Sequence, residues 1–182
     1  MSEKNTMPLR NITSGNVPDE INVIIEIPLS SEPVKYEVDK QTHAMFVDRF
    51  LSTAMHYPCN YGYVPNTLCG DGDPIDVCVI APLPVISGSI IRCRPVGVLN
   101  MEDDGGEDHK LIAVPTDKLT SLYSDISTVR DLRRELLDRI SHFFEHYKVL
   151  EPGRWAKIYD WGDVESAKRE LMKSIEMCNK NN

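Results

Sequence analysis

Prolines bracket the apolar runs in the first two-thirds of this chain, and that punctuation limits what the runs can form. Ile21 to Ile27, Val34 to Val38, Ile75 to Ala81, Ile90 to Leu99 and Leu111 to Val114 are short and rich in β-branched residues. Pro28, Pro33, Pro82, Pro84 and Pro115 stand at or near their ends. A proline has no N–H to give a sheet, so each of these closes a strand. Pro95 alone falls inside a run and marks a bulge or an edge. The pattern predicts a small closed or nearly closed antiparallel barrel.

After about residue 126 the period changes. Val129, Leu132, Leu136, Ile140, Phe143 and Tyr147 recur every three or four residues, the stripe of an amphipathic helix, and Thr128 with Asp131 is placed to form its capping box. A second helix is expected after Asp163, turning Ala167, Leu171 and Ile175 inward, with Asn179 to Asn182 fraying. The class is therefore α+β, a barrel first and helices packed on it. A chain of 182 residues suits a single domain. Its parts would be a loose arm over residues 1–19 with order from near Ile21, the barrel and its loops over 20–125, and a helical region over 126–178.

The net charge of −8 repels nucleic acid phosphates and anionic lipid, and makes cations necessary if the chain handles an anion. The expectation is no nucleic acid partner and no membrane. Five cysteines without a CxxC pair give neither a disulfide framework nor a zinc ribbon. With a polar Met1 to Arg10 and no long apolar run, they read as reduced thiols of a cytoplasmic protein.

The densest chemistry lies in Gly70-Asp71-Gly72-Asp73-Pro74-Ile75-Asp76-Val77, where three carboxylates fall on a Gly/Pro turn and the strand after it. Such a segment is either a solvated acidic turn or an oxygen-only site for a hard divalent cation such as Mg2+. An EF-hand is excluded, because Pro74 and Ile75 break its alternation of acids. A second acidic segment, Glu102 to Asp108, turns on Gly105-Gly106 and continues into Asp108-His109-Lys110, which sets an anion and a cation on one strand face. Lys35-Tyr36-Glu37 repeats that arrangement. Both pairs fit surface salt bridges, and both fit metal ligands interleaved with phosphate binders. Glu26 is the sharper anomaly, since a lone carboxylate in an apolar strand is costly without a partner. Tyr57, Tyr61, Arg49 and the pair Tyr147-Lys148 add phenols, a guanidinium fork and a point charge suited to phosphate oxygens.

Taken together, these residues resemble the soluble family I inorganic pyrophosphatases, especially the bacterial branch, from about Ile21 to Gly153. Asp71-Gly72-Asp73-Pro74-Ile75-Asp76-Val77 is similar to the family signature, and Glu26, Lys35, Glu37, Arg49, Tyr57, Tyr61, Asp103, Asp108, Lys110, Tyr147 and Lys148 match its functional positions. The resemblance implies a five-stranded OB-like barrel with flanking α-helices, Mg2+ dependence and a homohexamer. Asp104 departs from it, because many members carry Glu there; its shorter reach bears on a secondary, water-mediated metal contact.

On that footing the function is hydrolysis of pyrophosphate to two orthophosphates by a metal-activated water or hydroxide, without a covalent intermediate. Seven carboxylates and four cations, with pyrophosphate's roughly four negative charges, leave about seven negative charges, which roughly three to four Mg2+ would neutralise. Asp71, Asp76 and Asp108 are assigned to the first metals, Asp103 with Asp108 to another, and Glu26, Glu37 and Asp104 to outer contacts. Asp73 is the candidate base. Lys35, Arg49, Tyr57, Tyr61, Lys110, Tyr147 and Lys148 are the substrate ligands, with Lys35, Arg49 and Tyr61 also counted as catalytic.

Two other readings exist. His142-Phe143-Phe144-Glu145-His146 fits the inverted zinc-peptidase motif, but such peptidases are larger and place a third ligand well downstream. A barrel with exposed tyrosines also suits single-stranded nucleic acid, against which the charge argues. His142 and His146 fall off the core stripe, and in the hexamers that the chain resembles the matching helix lies at a subunit contact.

Overall fold

The computed structural model describes residues 12–39 and 41–181. Nine strands and two α-helices occur among them: β1 Ile21–Ile27, β2 Val34–Val38, β3 Met45–Phe50, β4 Asn60–Tyr63, β5 Asp76–Val79, β6 Ile90–Asp103, β7 Gly106–Glu107, β8 Lys110–Pro115, α1 Arg134–His146, β9 Ala156–Gly162 and α2 Val164–Asn181. β1 pairs with β4, β4 with β5, β5 with β8, β8 with β6, and β6 pairs back to β1. β7 and β9 add to β6, while β2 and β3 form a separate two-stranded sheet. The sheet is mixed, and this corrects the purely antiparallel expectation: β5 and β8 run parallel, Asp76 opposite Lys110. Parallel neighbours need a crossover, here supplied by the 14-residue β6 and the hairpin after it.

β1 is buried along nearly its whole length, which is why its sequence does not alternate. Its register against β4 shifts between Ile25 and Ile27, leaving Glu26 as the extra residue of a bulge. A bulge re-aims a side chain, so the lone acid of an apolar strand has a structural origin. A second shift between Pro95 and Gly97 on β6 bears out the bulge expected at that proline. Gly62 on β4 holds β1 close, for a Cβ there would meet the Ile24 carbonyl oxygen at 1.9 Å.

One apolar cluster joins the strands to α1 through Ile140, Phe143, Phe144 and Tyr147, and a second joins them to α2 through Ala167 and Leu171. The long helix expected from residue 129 is interrupted. Thr128 and Asp131 close a 3-10 turn over Val129–Asp131, Leu132 is extended, and α1 starts at Arg134. Asp131 accepts bonds from the Ser127 and Thr128 N–H groups, satisfying the short turn before an α-helix can propagate. α2 starts as expected, with Asp163 accepting from the Ser166 N–H, and its helical geometry extends through Asn181; Asn182 lies outside the described residues. Order begins before Ile21: Ser14 donates to the Pro65 carbonyl, and Asp19 pairs with Lys168 of α2. Residues 1–11, the rest of the expected arm, lie outside the described residues.

Candidate active site

The acidic turn before β5 is built by its own side chains. Asp71 Oδ1 accepts from the Asp73 N–H at 3.0 Å, Gly72 takes φ 91°, and Cys69 N–H reaches the Asp73 carbonyl at 2.7 Å. Buried Thr67 anchors the turn, accepting from the Ile75 N–H and donating to the Val64 carbonyl. Asp71, Asp73 and Asp76 then share a cleft of about 70 Å³ with Glu26, Lys35, Glu37, Tyr61 and Tyr63.

Behind that cleft lies a buried cation. Lys110, its side chain 3% exposed, sets Nζ 2.6 Å from Asp76 Oδ2 and also bonds Asp108, while Tyr61 donates to Asp76 Oδ2 at 2.6 Å. Burial opposes charge on Lys110, but Asp108 and Asp76 outweigh it and hold the ammonium well above its ordinary range. Burial, with neighbouring carboxylates adding, raises the carboxyl pKa of Asp108 and of Asp71 against the pull of Lys110 and of hydrogen bonds. Glu26 is affected most: burial, with Asp76 and Glu37 adding, pushes it up to about 8 despite the Val38 N–H it accepts at 2.8 Å. The cluster carries more negative charge than its lysines offset.

A second group sits on the hairpin after β6. Lys148 bonds Asp103 at 2.6 Å and Asp104 at 3.0 Å, and Arg154 reaches Asp104 at 3.4 Å. Gly105 N–H returns to Asp103 Oδ1, and Gly106 takes φ 116°, which lets the chain turn tightly enough to bring Asp108 back toward β8. On the two-stranded sheet, Lys35 faces Arg49 across the ladder and pairs with Asp48 at 3.1 Å and Glu37 at 3.5 Å. Burial works against the Lys35 charge, and Asp48 with Glu37 more than restores it. Arg49 lies 3.5 Å from Glu151.

The aromatic residues form the inner wall. Tyr57 is 2% exposed and packs on Tyr61 and Phe143, and Tyr147 stacks on Phe143 with Lys148 Nζ 5.6 Å from its centroid. Glu26, Lys35, Glu37, Tyr61, Asp71, Asp73 and Asp76 thus share one cleft, with Lys110 and Asp108 bonded to its edge. Arg49, Asp103, Asp104 and Lys148 are held in neighbouring ion pairs, while the rings of Tyr57 and Tyr147 pack among aromatics. Asp48, Glu151 and Arg154 join the site without a sequence signal of their own, apart from the adjacency of Asp48 to Arg49. His142 and His146 stack at 4.4 Å with His146 Nδ1 2.9 Å from the His142 carbonyl.

The donors are all oxygens, mostly carboxylates, a set that fits a hard divalent cation. Among the described residues no three of them close into a ready-made cage.

Known proteins place the chain. A family model described as inorganic pyrophosphatase matches residues 23–179. The chain is 59% identical over 174 residues to an inorganic pyrophosphatase of Xanthomonas campestris pv. campestris, covering 95% of this chain and 98% of that one. It is 55% identical over 171 residues to that of Escherichia coli strain K12, covering 93% and 97%. Among solved structures, an inorganic phosphatase from Anaplasma phagocytophilum superposes with a TM-score of 0.91 at 50% identity, covering 93% and 99% of the two chains. The inorganic pyrophosphatase from Thermus thermophilus superposes with 0.85 at 35% identity, covering 94% and 98%.

Proposed function

The chain belongs to the inorganic pyrophosphatase family, and on that premise we propose that its linked carboxylate and lysine clusters carry out a magnesium-dependent hydrolysis. As an inorganic diphosphatase it cleaves pyrophosphate to orthophosphate. One observation supports the site assignment above the others: Asp76 and Asp108 converge on a single buried ammonium, and Asp71, Asp73, Glu26 and Glu37 line the adjoining cleft with Lys35 as its one lining cation among the described residues. Surplus negative charge of this kind calls for further cations.

Magnesium, when bound, would offset that surplus, draw charge from substrate oxygens and acidify a nearby water. Asp71, Asp76 and Asp108 would hold the first ions and Asp103 with Asp108 a further one, while Glu26, Glu37 and Asp104 act mostly through water; the charge balance sets the total at roughly three to four. Asp73 accepts the proton of the attacking water. As the new P–O bond forms, the bridging P–O bond breaks and its electron pair leaves with the second phosphate. No enzyme nucleophile is needed. Lys35, Arg49 and Tyr61 orient the reacting phosphoryl group and steady its charge, with Tyr57, Lys110, Tyr147 and Lys148 as further substrate ligands.

The five strands whose pairing returns to β1 support reading this part as an OB-like barrel flanked by α1 and α2. We read the whole chain as one domain, active in the cytoplasm as a homo-oligomer, a hexamer by resemblance. The test is phosphate release from pyrophosphate: two phosphates per substrate with MgCl2, none in EDTA, and recovery when magnesium is restored. Release at the full rate in EDTA would overturn the metal requirement, and sedimentation at a monomer's rate would overturn the assembly.

A further inference from the structure

Arg49 is held by a residue that the mechanism above does not use. Its Nη1 lies 3.5 Å from Glu151 Oε2, beyond a tight charge-assisted hydrogen bond. Both partners keep a buried polar atom with no hydrogen-bond partner, Nε on the arginine and Oε1 on the glutamate. Two orphaned atoms of opposite sense in one ion pair mean that the pair is not closed upon itself. A guanidinium has five N–H donors in a fixed fork, so a single carboxylate oxygen on one edge leaves other donors for a phosphate oxygen.

Arg49 also needs a counter-charge. It stands opposite Lys35 in the β2–β3 ladder, and like charges facing across strands repel. Asp48 is pledged to Lys35 at 3.1 Å and stays 4.0 Å from Arg49 Nε, so the nearest carboxylate to the Arg49 fork is Glu151. Glu151 is 16% exposed and belongs to the turn directly after Tyr147 and Lys148, its N–H bonded to the Lys148 carbonyl and its own carbonyl accepting from the Arg154 N–H. Arg154 in turn reaches Asp104, which shares Lys148 with Asp103. One carboxylate thereby ties β3 to the segment that carries two of the proposed substrate ligands.

We propose that Glu151 is the positioning residue of Arg49, holding the guanidinium beside Lys35 in the orientation that accepts a phosphoryl group. The inference rests on the pyrophosphatase reading, and a double-mutant cycle separates the two. Steady-state hydrolysis at saturating MgCl2 is measured for the parent, Glu151→Gln, Arg49→Lys and the double variant. Glu151→Gln should lower kcat/KM about tenfold, mainly by raising KM, the scale of one charge-assisted contact. In the Arg49→Lys background the same change should cost less than about twofold, because the group it positions is gone. Equal losses in both backgrounds, or no loss in either, would overturn the proposal. Should Glu151→Gln fail to fold, Glu151→Asp, which keeps the charge and shortens the reach, is judged by the same cycle. A parent that releases no phosphate would instead sink the underlying reading.

Discussion

Lys110 and Asp76 face each other in the register of the parallel pair β5–β8, and the ammonium lies 2.6 Å from the carboxylate. Asp108, two residues before the lysine in the short connection ahead of β8, accepts a second bond from it. Strand pairing therefore brings an acid from the glycine turn and an acid from the hairpin to one buried cation. Neither acid is near the other in the sequence.

Removing that cation should expose the surplus charge. Lys110→Gln leaves Asp76 and Asp108 without their shared partner, and breaking a buried pair from one side costs about 3 kcal/mol or more. Added MgCl2 should recover part of that loss, since a divalent ion reaching the same carboxylates substitutes for the ammonium. Urea melts of parent and variant with and without MgCl2 measure both. A deficit that magnesium leaves untouched would detach Asp76 and Asp108 from any cation site.

Asp73→Asn should fold like the parent and lose most activity. The amide fills the same volume but cannot take a proton from water, and loss of a general base typically costs about 10²- to 10⁴-fold in rate. Asp73 sits in the turn through its backbone, its carbonyl accepting from Cys69 N–H and its N–H bonded to Asp71, so the side-chain change leaves those bonds in place. A purified variant within threefold of the parent would remove Asp73 from the role.

Asp108→Ala should raise the magnesium requirement more than Glu37→Ala. Asp108 is mostly buried, bonded to Lys110 and close enough to Asp76 and Asp103 for each to disfavour its charge, which places it between two groups of carboxylates. Glu37 lies at the cleft's edge, its side chain 42% exposed and its pairing to Lys35 long at 3.5 Å. Magnesium titrations of hydrolysis rank the two, and equal shifts would show that both sit at the same distance from the ions.

Much of this was legible in the sequence where local chemistry decides. β1, β2 and β8 each meet a proline at one end, β6 carries Pro95 at its bulge, and the aspartate turn announces itself by carboxylate density. β4 was not read as a strand because Asn60 and Gly62 are poor strand formers; burial between β1 and β5 overrides their propensity. β9 was lost among exposed residues that pair with the polar end of β6. Glu26 stood out as an acid among isoleucines, but the bulge that aims it depends on a partner strand. Glu151 had no signal at all. Its meaning comes from Arg49, which only tertiary packing brings near.

The pH dependence of the metal-free protein should carry the mark of Glu26. Its carboxyl is raised from 4.5 to about 8, chiefly by burial, with Asp76 and Glu37 adding and the Val38 N–H and Lys35 opposing. Between those values the folded chain keeps a proton that the unfolded chain has released. By linkage, stability is then greatest at the acid end of the window and declines as pH rises through it toward about 8, the reverse of a salt-bridged carboxylate. Asp71 and Asp108, also raised, act in the same direction over windows that open at the ordinary aspartate value. Glu26→Gln keeps an oxygen for the Val38 N–H and has no proton to lose, so urea midpoints in EDTA at pH 5, 6.5 and 8 should fall less steeply for the variant than for the parent. Added MgCl2 should flatten the parent's curve, because a nearby divalent cation favours the ionised carboxylate. Superimposable slopes for parent and variant in EDTA would mean that Glu26 is already ionised in the folded chain and that its negative charge is met by groups other than Val38 and Lys35.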